Sequence, residues 1–321
     1  MVVDGGRVRS VGVAGATPTD RTLEVDGFLM PGVVDRHVHV GLSDPVAILQ
    51  GGVTAARDLG WPAERIFPVA DASELPTFTG PLIRAVGPML TAPGGYPTRA
   101  SWAPPGTGRE LASADEAEAV VGDLAARGAV AIKVALNADA GPVLGDAELA
   151  AIVAAASLHG LPVTAHCQGI GQVGRAAGAG VAELAHTPWS ERLTDALVGA
   201  LAATTRIVST LDIQSYGRDT PEIRTALDNL RRFHAAGGRI AYGTDLGNGP
   251  IAPGIHLTEV FLLRDVGVTP DELLAAMVLG PLEPGVPADL LALGSDPRED
   301  LTAFEDIVAV FRSGRLVAGR G

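Results

Sequence analysis

The stretch GVVDRHVHV (32–40) places two histidines, His37 and His39, two residues apart. In an extended strand side chains alternate between faces, so both imidazoles leave the same side and can share one ion. Val34, Arg36, Val38 and Val40 form the other face. His166 lies near the end of PVTAHC (162–167), His186 near the end of VAELAHT (181–187), and Asp245 closes RIAYGTD (239–245). Neutral imidazole and carboxylate are ligands for zinc and similar divalent ions. The run AVAIKVAL (129–136) carries Lys133, the only lysine of the chain, while arginine supplies the other 23 of its 24 fixed cations. An ammonium among such ligands would be repelled by the ions they hold, so Lys133 has the wrong charge for this company.

These residues need elements that bring them together. Between residues 31 and 280, short β-branched runs alternate with Ala/Leu/Glu-rich stretches, the pattern of parallel strands joined by crossover helices. Eight strands are expected: 32–40, 53–59, 82–87, 129–136, 162–167, 181–187, 206–211 and 239–245. The helical stretches include SADEAEAVVGDLAARG from Ser113, with Ser113 and Glu116 spaced as a capping box, and DAELAAIVAAASLHG from Asp146. Eight such units predict an α/β fold, a (β/α)8 TIM barrel. The apolar face of the first strand suits the helix layer, so His37 and His39 should face the barrel interior. They sit at the C-terminal end of their strand, where barrel active sites are built, and Lys133, His166, His186 and Asp245 share that address. Residues 1–30 carry two expected strand pairs, VVDGGRVRSVGV and TLEVDGFLMPG, and residues 281–321 carry ADLLALGSDP and IVAVFRSGRLVAG. The two ends are expected to form one small β-sandwich-like domain beside a barrel spanning 31–280. The segment 87–108 reads as a long Pro/Gly-rich loop after the third strand.

The ordered set H-x-H on the first strand, Lys on the fourth, His on the fifth and sixth and Asp on the eighth resembles the amidohydrolase superfamily of metal-dependent hydrolases. FLMPGVVDRHVH and LEPGVPADLLAL resemble the family's passages into and out of the barrel. GGVTAARDLG, GPLIRAVGPMLTAPGG and GAVAIKV look most like its imidazolonepropionase-like and prolidase-like branch. The resemblance implies a lysine carboxylated by carbon dioxide into an anionic carbamate, which would account for the single amine, because a guanidinium with pKa above about 12 cannot react in this way. It implies that His37, His39 and Asp245 hold one divalent ion, His166 and His186 a second, and carboxylated Lys133 and a hydroxide bridge them. Zinc is expected first, with manganese, iron or cobalt as alternatives. The implied reaction is hydrolysis of a C–N bond (amide, lactam, cyclic imide or Xaa-Pro-type dipeptide) or a lactone by the bridging hydroxide, with Asp245 as general base and then acid. Two other readings are a mononuclear deaminase or imidazolone-type hydrolase on the same barrel and a noncatalytic scaffold or regulatory relative. The chain departs from the family where relatives have GGH after strand 3 and it reads GGYP, placing Tyr96 there, and where MVLGPLEPG runs on without the usual Asn-Pro-Ala-like motif.

Tyr96, Arg99, Trp102, Tyr216 and Arg218 fall on loops at the catalytic face and are candidate substrate contacts, with an arginine from the third or seventh loop available to anchor a substrate carboxylate. Asp35 should face inward below the histidines in a supporting role. Arg57 and Asp58 should pair with each other, or one of them should face the mouth, and Cys167 should point into the helix layer. His159, His234 and His256 read as surface or helix-end residues. A net charge of −13 over 321 residues, with scattered arginines, argues against nucleic acid and anionic membranes as partners. A small-molecule substrate, a cytoplasmic location and, as an open matter, a homo-oligomer complete the expectation.

Overall fold

The computed structural model describes residues 1–12 and 22–319. A hairpin opens the chain, β1 (Val2–Asp4) and β2 (Arg7–Ser10), followed by β3 (Phe28–Pro31). The barrel then runs β4 (Val33–Val38), α1 (Pro45–Gln50), β5 (Val53–Asp58), α2 (Ala63–Ser73), β6 (Leu82–Ala85), β7 (Met89–Thr91), β8 (Gly108–Glu110) and α3 (Ala117–Ala126). It continues with β9 (Ile132–Asn137), α4 (Asp146–Leu158), β10 (Val163–Gln168), α5 (Gln172–Gly178), β11 (Glu183–Leu184) and α6 (Asp195–Thr204). β12 (Arg206–Val208), α7 (Pro221–Ala235), β13 (Arg239–Ala241), α8 (Leu257–Asp265) and α9 (Pro270–Met277) complete it, before β14 (Leu290–Leu293), β15 (Ile307–Arg312) and β16 (Arg315–Gly319).

All pairings among the barrel strands are parallel, and two seams join their two sheets into a ring. At one seam the chain after β13 lies along β4: Arg36 N donates to Tyr242 O (3.1 Å), Asp245 N to His37 O (2.8 Å) and His39 N to Leu246 O (2.8 Å). Gly243 makes this approach possible, since a Cβ there would stand 2.4 Å from Val208 and 3.1 Å from the His37 nitrogen. At the other seam Val130 N donates to Ala85 O (3.0 Å), and Leu90 pairs with Val134. The result is an α/β barrel with the expected eight strand positions. Ile132, Val134 and Leu136 of β9 join α3 and α4 residues such as Leu124, Leu149 and Ile152 in one apolar core between strands and helices. On β4 the same parity sends Arg36 outward, where its guanidinium donates to Ala276 O (2.6 Å) and Val278 O (2.8 Å).

Three local expectations change. The third strand does not stop at 87: Gly87, at φ +77°, and Pro88 break it, and it resumes as β7 with β8 alongside, so the long loop shortens to 92–107. Ser113 makes no capping bond, because the chain enters α3 through a 3₁₀ turn at Ala114–Glu116. A capping box forms instead at Thr269 and Glu272 on α9. Of the two expected N-terminal strand pairs the first forms, apart from Val13, which lies outside the described residues; in the second, residues 22–27 are irregular and only β3 is a strand. β3 joins β14, β15 and β16 in a four-stranded antiparallel sheet, so both chain ends do meet. No described helix is long and apolar enough to cross a membrane.

Candidate metal centre

His37 and His39 emerge at the end of β4 with their second nitrogens tied to main-chain carbonyls: Nδ1 of His37 lies 2.7 Å from Ala185 O and Nδ1 of His39 lies 3.2 Å from Gly60 O. A carbonyl can only accept, so each Nδ1 carries a proton and, in the neutral ring, each Nε2 presents a lone pair. Both Nε2 atoms point at Oδ1 of Asp245, at 3.2 and 3.1 Å, and that oxygen is fully buried. Two imidazole nitrogens thus converge on one carboxylate oxygen; burial opposes a charged ring, but the hydrogen bond and charge of Asp245 raise the His39 imidazole above its ordinary value, so the contact calls for a cation. Such a convergence is costly in a buried site and is relieved by a cation. Among the described residues these three form the one group whose donor atoms lie close enough together to hold a metal ion. Asp245 sits at φ +57°, a left-handed conformation rare outside glycine, so the backbone carries strain where the carboxylate is aimed.

The other predicted residues lie against this group. The His37 and His186 rings are 4.5 Å apart, and His166 Nδ1 faces His186 Nε2 at 2.9 Å. Thr210 Oγ1, 2.9 Å from His186 Nδ1, and Asn137 Nδ2, 3.3 Å from His166 Nε2, hold the outer nitrogens of this pair. Burial takes the His166 imidazole down to about 3 and drives those of His37 and His186 well below the ordinary range, with nearby Lys133 adding to the effect, so these rings favour the neutral form. Lys133 is wholly buried on β9, and its Nζ has no hydrogen-bond partner. Burial, helped by Arg57 and opposed by Asp245 and Glu183, brings the amine down to about 7. The amine is thus orphaned inside the barrel, and the His37–His39–Asp245 donor set beside it fits a divalent ion.

Beneath the ligands the barrel interior is polar. Asp35 accepts from His37 N (3.0 Å), Thr244 N (3.1 Å) and Thr244 Oγ1 (2.5 Å), tying β4 to the chain that delivers Asp245. Arg57 does not pair with Asp58. It reaches across to Glu183, which also binds Arg206 at 2.6 Å, while Asp58 accepts from Val40 N (2.8 Å) and Gly60 N (3.1 Å) and shapes the turn after His39. The reason is parity: adjacent residues of β5 point to opposite faces and cannot meet. Cys167 is buried in the core between strands and helices, and burial pushes its thiol up to about 12. His159 caps α4 and His234 lies in the last turn of α7, as expected. His256 differs from a surface residue: its Nε2 is 2.7 Å from the nearly buried Asp212.

Of the candidate substrate contacts, Tyr96 stacks on His166 (ring centres 5.2 Å apart, planes at 24°) and Trp102 lies 4.9 Å from the His39 ring. Tyr216 packs on Gly249 in the loop after Asp245. Arg99 and Arg218 are exposed; Arg99 lies beside Gly94 and Arg218 rests on Ser215 O, and neither meets the histidines. The sequence reading missed Trp189, whose ring stands 5.8 Å from His166 and 5.4 Å from His186. Its place three residues after His186, just past a strand end, was the available signal. Asn137, Thr210 and Glu259 were also missed. Their roles depend on where the fold points each side chain, which no spacing reveals.

Residues 28–317 match the model of the amidohydrolase family. Ochratoxinase of Aspergillus niger is 28% identical in an alignment of 377 positions covering 91% of this chain and 76% of that protein. The crystal structure of that ochratoxinase superposes with a TM-score of 0.75 at 22% identity, over 91% of this chain and 84% of that one. A Xaa-Pro dipeptidase with bound methionine superposes with a TM-score of 0.81 at 21% identity, over 98% and 93%. With the barrel, the clustered ligands and a family match over most of its length, the chain belongs to the amidohydrolase family.

Proposed function

We propose that this protein is a binuclear metal-dependent hydrolase that cleaves the C–N bond of an amide, lactam, cyclic imide or Xaa-Pro-type dipeptide, or a lactone. The observation that carries the reading is the convergence of two imidazole nitrogens on one buried carboxylate oxygen. The relatives act in the same sense, being an ochratoxinase and an Xaa-Pro dipeptidase by name. His37, His39 and Asp245 would hold one ion and His166 and His186 the other, with carboxylated Lys133 shared between them. Zinc suits this imidazole-rich set.

Carboxylation requires the neutral amine. Its lone pair forms the N–C bond to carbon dioxide, one C=O electron pair moves to oxygen, and an N–H proton leaves to solvent, so a cation becomes an anion. Divalent ions, when bound, polarise a carbonyl oxygen and bring the pKa of water toward neutrality. Asp245, held at the mouth by the His37 carbonyl through its own N–H, would take a proton from the attacking water and return it to the leaving group. Asp35 and Thr244 keep that carboxylate in register.

The test is reconstitution with zinc or manganese and bicarbonate, followed by assay against simple amides, lactams, Xaa-Pro dipeptides and lactones. Turnover that is lost with chelator and falls by about 10³-fold in Asp245→Asn, a size typical of removing a positioned acid–base group, is expected. Metal-loaded protein inert toward every class would contradict the proposal. A second reading, one ion and deaminase- or imidazolone-type chemistry, draws on the His166–His186 contact at 2.9 Å. It predicts one tightly bound ion per chain, unaffected by Lys133→Ala.

A further inference from the structure

The chain is poor in aromatic residues, 4% overall, with three tryptophans and three tyrosines. Trp61 and Tyr242 are spent in the core. The remaining four, Tyr96, Trp102, Trp189 and Tyr216, lie on loops following barrel strands at the mouth. Three of them touch candidate ligands directly: Trp102 covers His39, Tyr96 lies flat on His166, and Trp189 meets His166 and His186 edge-on. Tyr96 and Trp102 are also neighbours, with ring centres 6.2 Å apart. All three rings remain partly exposed, whereas the ligands beneath them are at most 8% exposed. These partly exposed rings lie between the buried donor atoms and the surface.

No cation stands ready for a carboxylate among the described residues that line this entrance. Arg99 and Arg218 are exposed, beside Gly94 and on Ser215 O respectively, Arg36 is committed outside the strands to Ala276 O and Val278 O, and Arg57 is committed beneath the site to Arg36 O and Glu183. A cationic ligand is disfavoured by the ions the site is built to hold. Edge and face contacts with uncharged rings remain, and they favour a flat π-system over a saturated ring of the same size.

Resting on the proposed hydrolase function, we propose that the preferred substrates are uncharged amides with an aromatic ring adjoining the scissile group, seated between Trp102 and Trp189 with Tyr96 as the third wall. Water adds its oxygen to the carbonyl carbon, the C–N bond breaks, and the nitrogen takes the proton, giving a carboxylic acid and an amine.

Matched pairs test this without changing the reacting bond: phenylacetamide against cyclohexylacetamide, and N-benzyl- against N-cyclohexylmethylacetamide. The aromatic member should lead by roughly ten- to hundredfold in kcat/KM, the value of two or three ring contacts. In Trp102→Leu and Trp189→Leu the ratio should fall toward one. A readout free of turnover accompanies it: quenching of tryptophan fluorescence in the metal-loaded protein by benzyl alcohol, at concentrations where cyclohexylmethanol has no effect. Turnover with equal rates for both members of each pair would overturn the aromatic assignment and leave the hydrolase reading standing. Selective quenching by benzyl alcohol with no turnover of any amide, lactam, dipeptide or lactone would overturn the hydrolase reading and leave the ring-lined site.

Discussion

At the scale of single residues the account turns on Lys133. Its burial without a partner costs stability unless the amine is either neutral or converted to something the site can use. Lys133→Arg puts a permanent cation where the amine can be neutral or a carbamate, so it should lower the unfolding midpoint, hold about one ion per chain instead of two and lose roughly 10³-fold in kcat, measured by urea titration, elemental analysis and steady-state kinetics. The pH dependence has a definite sign. The amine falls to about 7, so below that value it is protonated and cannot attack carbon dioxide, and above it the free amine predominates. Reactivation of stripped protein at a fixed partial pressure of carbon dioxide should therefore accelerate as pH rises through about 7 and level off beyond; a flat profile would count against the assignment. This part of the site was legible in the sequence. Strand parity put His37 and His39 on one side, and five of the six chemistry-bearing residues fall toward or past strand ends, whereas Lys133, expected in the later half of its strand, is the second residue of β9, level with Thr164 and not with His166. Trp189 and Asn137 were not legible, because their roles depend on where a loop or a strand end points a side chain.

At the scale of elements, the positions of the ligands depend on how helices grip the loops. Glu259, in the first turn of α8 and wholly buried, accepts from Leu211 N (2.8 Å) and Asp212 N (2.9 Å). Those bonds follow Thr210, which sits at φ +38° and turns its hydroxyl to His186. Asp212 in turn binds His256 at the start of the same helix. Glu259→Gln replaces two acceptor oxygens by one, and Thr210→Val removes the contact to His186 altogether. Both should release one of the two ions more readily to chelator, by roughly tenfold or more, the usual size for losing a supporting bond behind a metal ligand. Thr210→Ser should restore retention, and equal chelation rates in all variants would refute the coupling. The strands themselves could be read from hydrophobic runs, but not the break at Gly87 and Pro88 or the 3₁₀ entry to α3. Local chain geometry there overrode a valid-looking capping pattern.

At the scale of the whole molecule the barrel is closed by main-chain bonds at two seams and crossed inside by the Arg57–Glu183–Arg206 cluster. Glu183 is 2% exposed and serves two guanidiniums, so Glu183→Leu leaves both without their shared anion. A loss of about 3–5 kcal/mol in unfolding free energy is expected, the size found when one partner of a buried ion pair is removed, read as a lower urea midpoint. An unchanged midpoint would mean the cluster is dispensable. The barrel was legible because eight strand–helix units repeat in order. The arrangement of the chain ends was less so, since a single strand, β3, pairs with residues more than 250 positions away.

The most direct test of the central claim uses the fact that the chain contains one lysine. Protein reconstituted with zinc under ¹³C-labelled carbon dioxide should give one carbamate carbon resonance that is absent from Lys133→Arg, together with two zinc ions per chain in the wild type. Spectra that do not differ between wild type and variant, with equal metal content in both, would contradict it.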